Sequence, residues 1–111
     1  MTIETKELKR CNVIKLEGRF DSSVAPALAE AFRESMDDGV YRIVVDMSGV
    51  QFFSSAAIRA LLMAYKECRR WNRGDVRLAA VPEHIAGVFD LAGILSFVEI
   101  YPDTTFAVGS F

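Results

Sequence analysis

A run of β-formers, Asn12 to Glu17, is followed by a one-sided helix pattern, Pro26 to Asp38, and then by a second β-rich run, Tyr41 to Val45. No other feature limits the fold as much, because a strand, a helix and a second strand in this order form a crossover unit and a partly parallel sheet. In the helix, Leu28, Ala31, Phe32 and Met36 recur at helical spacing, with Glu30, Arg33, Glu34 and Asp37 on the other side. Pro26 suits the first turn, where its missing N–H has no partner to lose, and Gly39 supplies a stop. Tyr41 to Val45 is almost unbroken in β-formers, the pattern of a central strand covered on both faces.

The remaining segments extend this unit in both directions. Ile3 to Leu8 and Asn12 to Glu17 alternate apolar and polar residues around a charged turn at Lys9-Arg10, which predicts an antiparallel hairpin at one side of the sheet. Gly18 to Ser23 breaks the alternation and offers Asp and Ser side chains to the free N–H groups of a helix start. Downstream, Asp46 to Leu62 carries the core strand through two serines, Ser54-Ser55, into a second helix. That helix places Ile58, Leu61, Leu62, Tyr65 and Cys68 on one face and Arg59, Lys66 and Arg70 on another, and ends near Arg73-Gly74. Val76 to Val81 reads as an inner strand. Pro82-Glu83 opens a short helix with Ile85, Val88, Phe89 and Ala92 on its buried side, and Gly93 closes it. Phe97 to Tyr101 supplies a last strand, and Thr104 to Phe111 is at most a short terminal helix.

At 111 residues there is apolar surface for one core, so residues 1–111 form one domain. The predicted fold class is α/β: a central mixed β-sheet of about five strands with about four helices, mainly packed on one face.

Composition then removes several functional classes. A net charge of -2 gives no footprint for nucleic acid or an anionic membrane surface. No apolar run approaches the roughly 20 residues of a membrane span, and the N-terminus has no signal-peptide core, which predicts a cytoplasmic protein without membrane insertion. Cys11 and Cys68, far apart in sequence, read as reduced packing residues. His84, the single histidine, has no second ligand at metal spacing and reads as a surface or capping residue. No Gly-rich dinucleotide turn, P-loop or nucleophile elbow occurs. Asp46 ends the predicted central strand, where a phosphoryl-accepting aspartate could sit. No acidic pair accompanies it to hold a cation, so it reads as the cap of the following turn. The expectation is a non-enzymatic protein with no cofactor and no metal site.

What remains is the serine turn. A helix N-terminus presents unpaired N–H groups and positive partial charge, so a serine there caps the helix or, if phosphorylated, has its phosphate stabilised. The sequence Asp46-Met47-Ser48-Gly49-Val50-Gln51-Phe52-Phe53-Ser54-Ser55 before an apolar helix resembles the signature of STAS domains, the anti-sigma factor antagonists. Leu16 to Asp21, Leu91 to Ile94 and Phe97 to Pro102 resemble further segments of that family, so the likeness spans nearly the whole chain.

The resemblance implies a regulatory binding module whose partner is an anti-sigma factor that is also a serine kinase. In the family the turn typically reads Asp-Ser-Ser-Gly, and the second serine is phosphorylated. Aligned without a gap, Ser54 stands at the aspartate, Ser55 at the first serine and Ala57 at the glycine. Ala56 takes the acceptor position, and alanine cannot take a phosphoryl group. Three readings follow: a non-switched binding module; an antagonist with Ser55 or Ser54 as acceptor; or a STAS module serving a transport or small-ligand or lipid-binding system. The predicted contact face comprises Phe20, Asp21, Ser22, Ser23, Ser54, Ser55, Ala56 and the helical stripe Arg59, Met63, Lys66. In solution the chain is expected to be a monomer or a weak homodimer.

Overall fold

A computed structural model describes all residues, Met1–Phe111. The order of elements is β1 (Thr2–Glu7), β2 (Asn12–Phe20), α1 (Ala25–Asp37), β3 (Arg42–Phe53), α2 (Ser55–Arg69), β4 (Asp75–Ala79), α3 (Glu83–Leu91), β5 (Ile100–Tyr101) and α4 (Thr104–Gly109). The five strands form one sheet in the order β1-β2-β3-β4-β5. β1 runs antiparallel to β2, from Thr2↔Glu17 to Glu7↔Asn12, and every other pair is parallel. This is the mixed five-stranded α/β sheet expected from the sequence.

Alternation along the strands divides the core between two faces. Ile14, Leu16, Ile43, Val45, Val76 and Leu78 face the layer built by α1, α2 and α3. Cys11, Val13, Val44 and Ala79 face the other side, where α4 covers them with Ala107. The helices therefore lie mainly on one face. Both cysteines are free and buried, Cys11 in the cluster covered by α4 and Cys68 on the inner face of α2. Asn12 donates to the Ser35 hydroxyl, which donates to the Val40 carbonyl, so the buried polar groups that join β2 to α1 are satisfied.

The central strand is longer than the sequence suggests. β3 does not end at Asp46 but continues to Phe53, because two β-bulges each add a residue to it. Pairing passes from Lys15↔Asp46 to Glu17↔Gly49, and from Gly18↔Val50 to Arg19↔Phe52. The buried residues Val45, Met47, Val50 and Phe53 consequently fall at spacings of two, three and three. At the first bulge the Asp46 carboxylate accepts the Ser48 N–H at 3.0 Å. Asp46 thus pairs a backbone group inside a strand rather than capping a turn. β2 is likewise not broken at Gly18. That glycine takes φ 101 and the strand runs on to Phe20.

Smaller departures have local causes. Asp21, four residues before α1, accepts from the Ser23 N–H and hydroxyl, and the helix has no side-chain cap. β4 stops at Ala79, since Ala80 turns to φ 53. α3 buries only Ile85 and Phe89; Val88 and Ala92, expected beside them, are exposed. β5 is reduced to two residues because the turn Ile94–Ser96 draws Val98 into the core.

Candidate functional site

The C-terminal ends of β2 and β3 meet at the start of α2. Two paired strands that finish together bring their next residues into register, and the Ser54 N–H donates to the Phe20 carbonyl at 2.8 Å. Below this contact the rings of Phe20, Phe53 and Phe89 form a row with centroid separations of 5.9 and 5.7 Å. Apolar burial of three rings fixes the turn from beneath.

Ser54 is the N-cap of α2. Its extended backbone lets the hydroxyl oxygen accept the Ala57 N–H at 3.2 Å, while its carbonyl accepts from the Ile58 N–H at 2.9 Å. Ser55 is exposed at the first helical position and its side chain makes no hydrogen bond; Ala56 follows, half-buried. The N–H groups of this first turn have no carbonyl one turn earlier, and they give the site its positive partial charge. Replacing Ser54 with alanine removes one cap bond and is expected to lower stability by about 1 kcal/mol. Urea unfolding checks this, with Ser55→Ala as the control, expected to change stability by less than about 0.5 kcal/mol because its hydroxyl is unpaired.

Of the residues expected on the contact face, the structure gathers most into one surface. Asp21, Ser22 and Ser23 are exposed directly after Phe20, and the Ser23 hydroxyl and N–H hold the Asp21 carboxyl below the usual carboxylate range. Arg59, Met63 and Lys66 continue from Ser55 along one stripe of α2. Met63 is 66% exposed, and neither Arg59 nor Lys66 enters an ion pair. Beside the stripe, a groove of about 370 Å³ between α1 and α2 is lined by Phe32, Met36, Ala60, Met63 and Ala64 among others.

Phe20 is the exception. Its ring is fully buried and its part is to anchor the turn, because Gly18 does not end β2 and Phe20 extends the inward alternation of Ile14 and Leu16.

Two features of this surface are not apparent in the sequence. Phe52 is 39% exposed with the Arg19 guanidinium 4.8 Å from its ring centre. His84, at the start of α3, donates to the Gln51 carbonyl at 2.9 Å; a carbonyl only accepts, so Nε2 carries the proton. Both depend on the second bulge, which turns Gln51 and Phe52 outward. The consecutive pair Phe52-Phe53 is the available signal, one ring exposed and one buried.

The two thiols lie in the core, away from this site. Burial pushes the Cys68 thiol up to about 12 and raises that of Cys11 as well, so neither forms a thiolate near neutral pH. No group of three His, Cys, Asp or Glu side chains is placed to hold a metal ion.

Comparison with known proteins bears on this arrangement. The STAS domain family profile matches residues 2–107. BtrV of Bordetella bronchiseptica, assigned as an anti-sigma factor antagonist, is 28% identical over 96 residues, covering 86% of this chain and 82% of its own. Among solved structures, an anti-sigma factor antagonist from Mycobacterium paratuberculosis superposes with a TM-score of 0.88 at 22% identity, covering 98% of this chain and 92% of that one. An anti-sigma-factor antagonist (STAS) domain protein from Planctomyces limnophilus gives 0.86 at 20% identity, covering 97% and 95%.

Proposed function

The chain belongs to the STAS domain family, and on that premise we propose that it is a non-enzymatic regulatory module that binds an anti-sigma factor of the serine-kinase type. The observation that carries this reading is the surface around the α2 N-terminus: a capped but otherwise open serine turn continued by the unpaired Arg59, the exposed Met63 and Lys66. A flexible thioether between two cations suits an adaptable protein contact. Asp21, Ser22, Ser23, Ser54, Ser55 and Ala56 make up the rest of the contact face, with Phe52 and Arg19 at its border.

In the ungapped alignment to the family turn, the acceptor position is Ala56. A methyl group there leaves the helix start without a phosphate, which favours docking on a surface that an added dianion would repel. The module is then held permanently in the binding state. A second reading is favoured by one observation: Ser55 is exposed and its hydroxyl is free, so it is the available acceptor if phosphorylation occurs.

The test starts with capture of the partner from native lysate on the immobilised chain, followed by incubation of the pair with ATP and intact-mass measurement. The expected result is an anti-sigma factor kinase in the captured fraction, no phosphoryl adduct on the chain, and an adduct on the Ala56→Ser variant. A stoichiometric adduct mapped to Ser54 or Ser55 of the unaltered chain replaces the first reading with the second. If no such kinase binds, the proposal fails.

A further inference from the structure

The edge of the sheet farthest from β1 is open. β5 pairs only with β4, through Leu78↔Ile100 and Ala79↔Tyr101. The Leu78 N–H donates to the Glu99 carbonyl and the Ala80 N–H to the Tyr101 carbonyl, both at 3.0 Å. These carbonyls belong to residues two apart, so the N–H and C=O of Ile100 between them point away from β4. Such groups are a template for another strand.

Apolar side chains accompany this edge. Leu95, Phe97 and Ile100 are all exposed, Phe97 to 46%. A groove of about 500 Å³ is formed by the consecutive residues from Leu95 to Tyr101. Phe97 is held as its floor, with its carbonyl accepting the Tyr65 hydroxyl and its ring 5.3 Å from that of Tyr65. The charged residues that flank Ile100 in the chain, Glu99 and Asp103, are both acidic and exposed, and the cation that approaches the groove is Arg69, whose guanidinium lies over the Tyr65 ring. From Leu78 to Phe111 the sequence has no lysine or arginine, so the edge strand and the segments on either side of it bring no cation of their own.

We propose that the β5 edge binds an extended segment of a protein partner in which apolar residues alternate with Lys or Arg. The segment adds a sixth strand through the N–H and C=O of Ile100. Its apolar side chains fill the groove over Phe97 and Ile100, and its cations face Glu99 and Asp103. A second copy of the chain is a poorer occupant, because edge-to-edge pairing through Ile100 brings Glu99 and Asp103 again and no lysine or arginine to answer them. This surface is separate from the α2 stripe, and its test does not depend on the anti-sigma factor reading.

The probe is a short synthetic peptide alternating valine and lysine, titrated into the full ¹⁵N-labelled chain. Saturable shifts confined to the segment from Leu95 to Tyr101 are expected, with slowed exchange of the Ile100 amide. Ile100→Pro removes the outward N–H and leaves the β4 ladder untouched, so it is expected to weaken binding by about tenfold or more. Because that variant could fold poorly, the same peptide N-methylated on its pairing edge is titrated into the unaltered chain and is expected to bind equally weakly. A peptide alternating valine and glutamate is expected not to bind. Shifts spread over the acidic surface, equal affinity of the N-methylated peptide, or a concentration-dependent dimer of the unaltered chain that blocks the peptide would overturn the proposal.

Discussion

Gly74→Ala is expected to be the most damaging single-methyl change in the chain. A Cβ built at Gly74 lies 2.1 Å from the Tyr41 carbonyl oxygen and 2.5 Å from its carbon, with the Arg42 nitrogen at 3.0 Å. All three are backbone atoms at the start of β3, so no side-chain rotation relieves the overlap. Relief requires β3 and β4 to separate where the Asp75 N–H bonds to the Tyr41 carbonyl, next to the pair Arg42↔Asp75. Overpacking in a rigid setting lies at the top of the usual range, so a loss of about 3 kcal/mol or more is expected. For a domain of this size that lowers Tm by roughly 10 °C or more. Gly87→Ala is the contrasting case: nothing lies within 4 Å of its added Cβ, and it sits inside α3. It should raise stability by about 0.5–1 kcal/mol through helix propensity. Calorimetry on the two variants checks both signs, and a Gly74→Ala protein that melts within a degree or two of the parent contradicts the clash.

The largest functional effect is expected from Arg59→Glu combined with Met63→Glu. The pair replaces a cation and an exposed apolar anchor at the middle of the α2 stripe, so the partner meets reversed charge and loses its packing contact. Residues central to an interface commonly contribute 2 kcal/mol or more, so the double variant should bind the anti-sigma factor about a hundredfold more weakly or worse. Neither side chain supports the fold: Met63 is 66% exposed and Arg59 has no ion-pair partner. Glutamate is also a good helix former. Titration calorimetry gives the affinity and circular dichroism the fold. Unchanged affinity in a folded double variant removes Arg59 and Met63 from the contact face.

Most of the architecture is legible in the residues because most segments obey a single period. The hairpin is marked by its charged turn at Lys9-Arg10 between two strand segments, and it pairs from Thr2↔Glu17 to Glu7↔Asn12. α1 and α2 show clear apolar stripes, and the serine turn falls where its residue types suggest, with Ser54 at the N-cap. The second half of β3 is concealed because its bulges convert the two-residue period to three, a spacing that Met47, Val50 and Phe53 share with a helix or a turn. The same effect hides the outward Phe52 and the partner of His84. Phe20 was misplaced because a glycine normally punctuates a strand, whereas Gly18 bends this one at φ 101 without ending it. In α3 the stripe from Ile85 to Ala92 is real, but the helix rests on the sheet through Ile85 and Phe89 alone, leaving Val88 and Ala92 in solvent. Periodicity reports which side of an element faces inward, and not how deeply that side is covered.

Strand order in this sheet repeats chain order, β1 through β5 without a single exchange. Each strand therefore docks beside the one synthesised just before it, and no edge has to be kept vacant for a segment that arrives later. The entropy of closing distant loops, which slows many sheets with shuffled strands, is kept small at each step. A chain leaving the ribosome can extend the sheet as it emerges. β3, the strand that carries the serine turn, reaches its neighbour β2 through the α1 crossover alone. In folding terms, the ends of β2 and β3 that present the turn depend on one local connection, and so does the edge at β5.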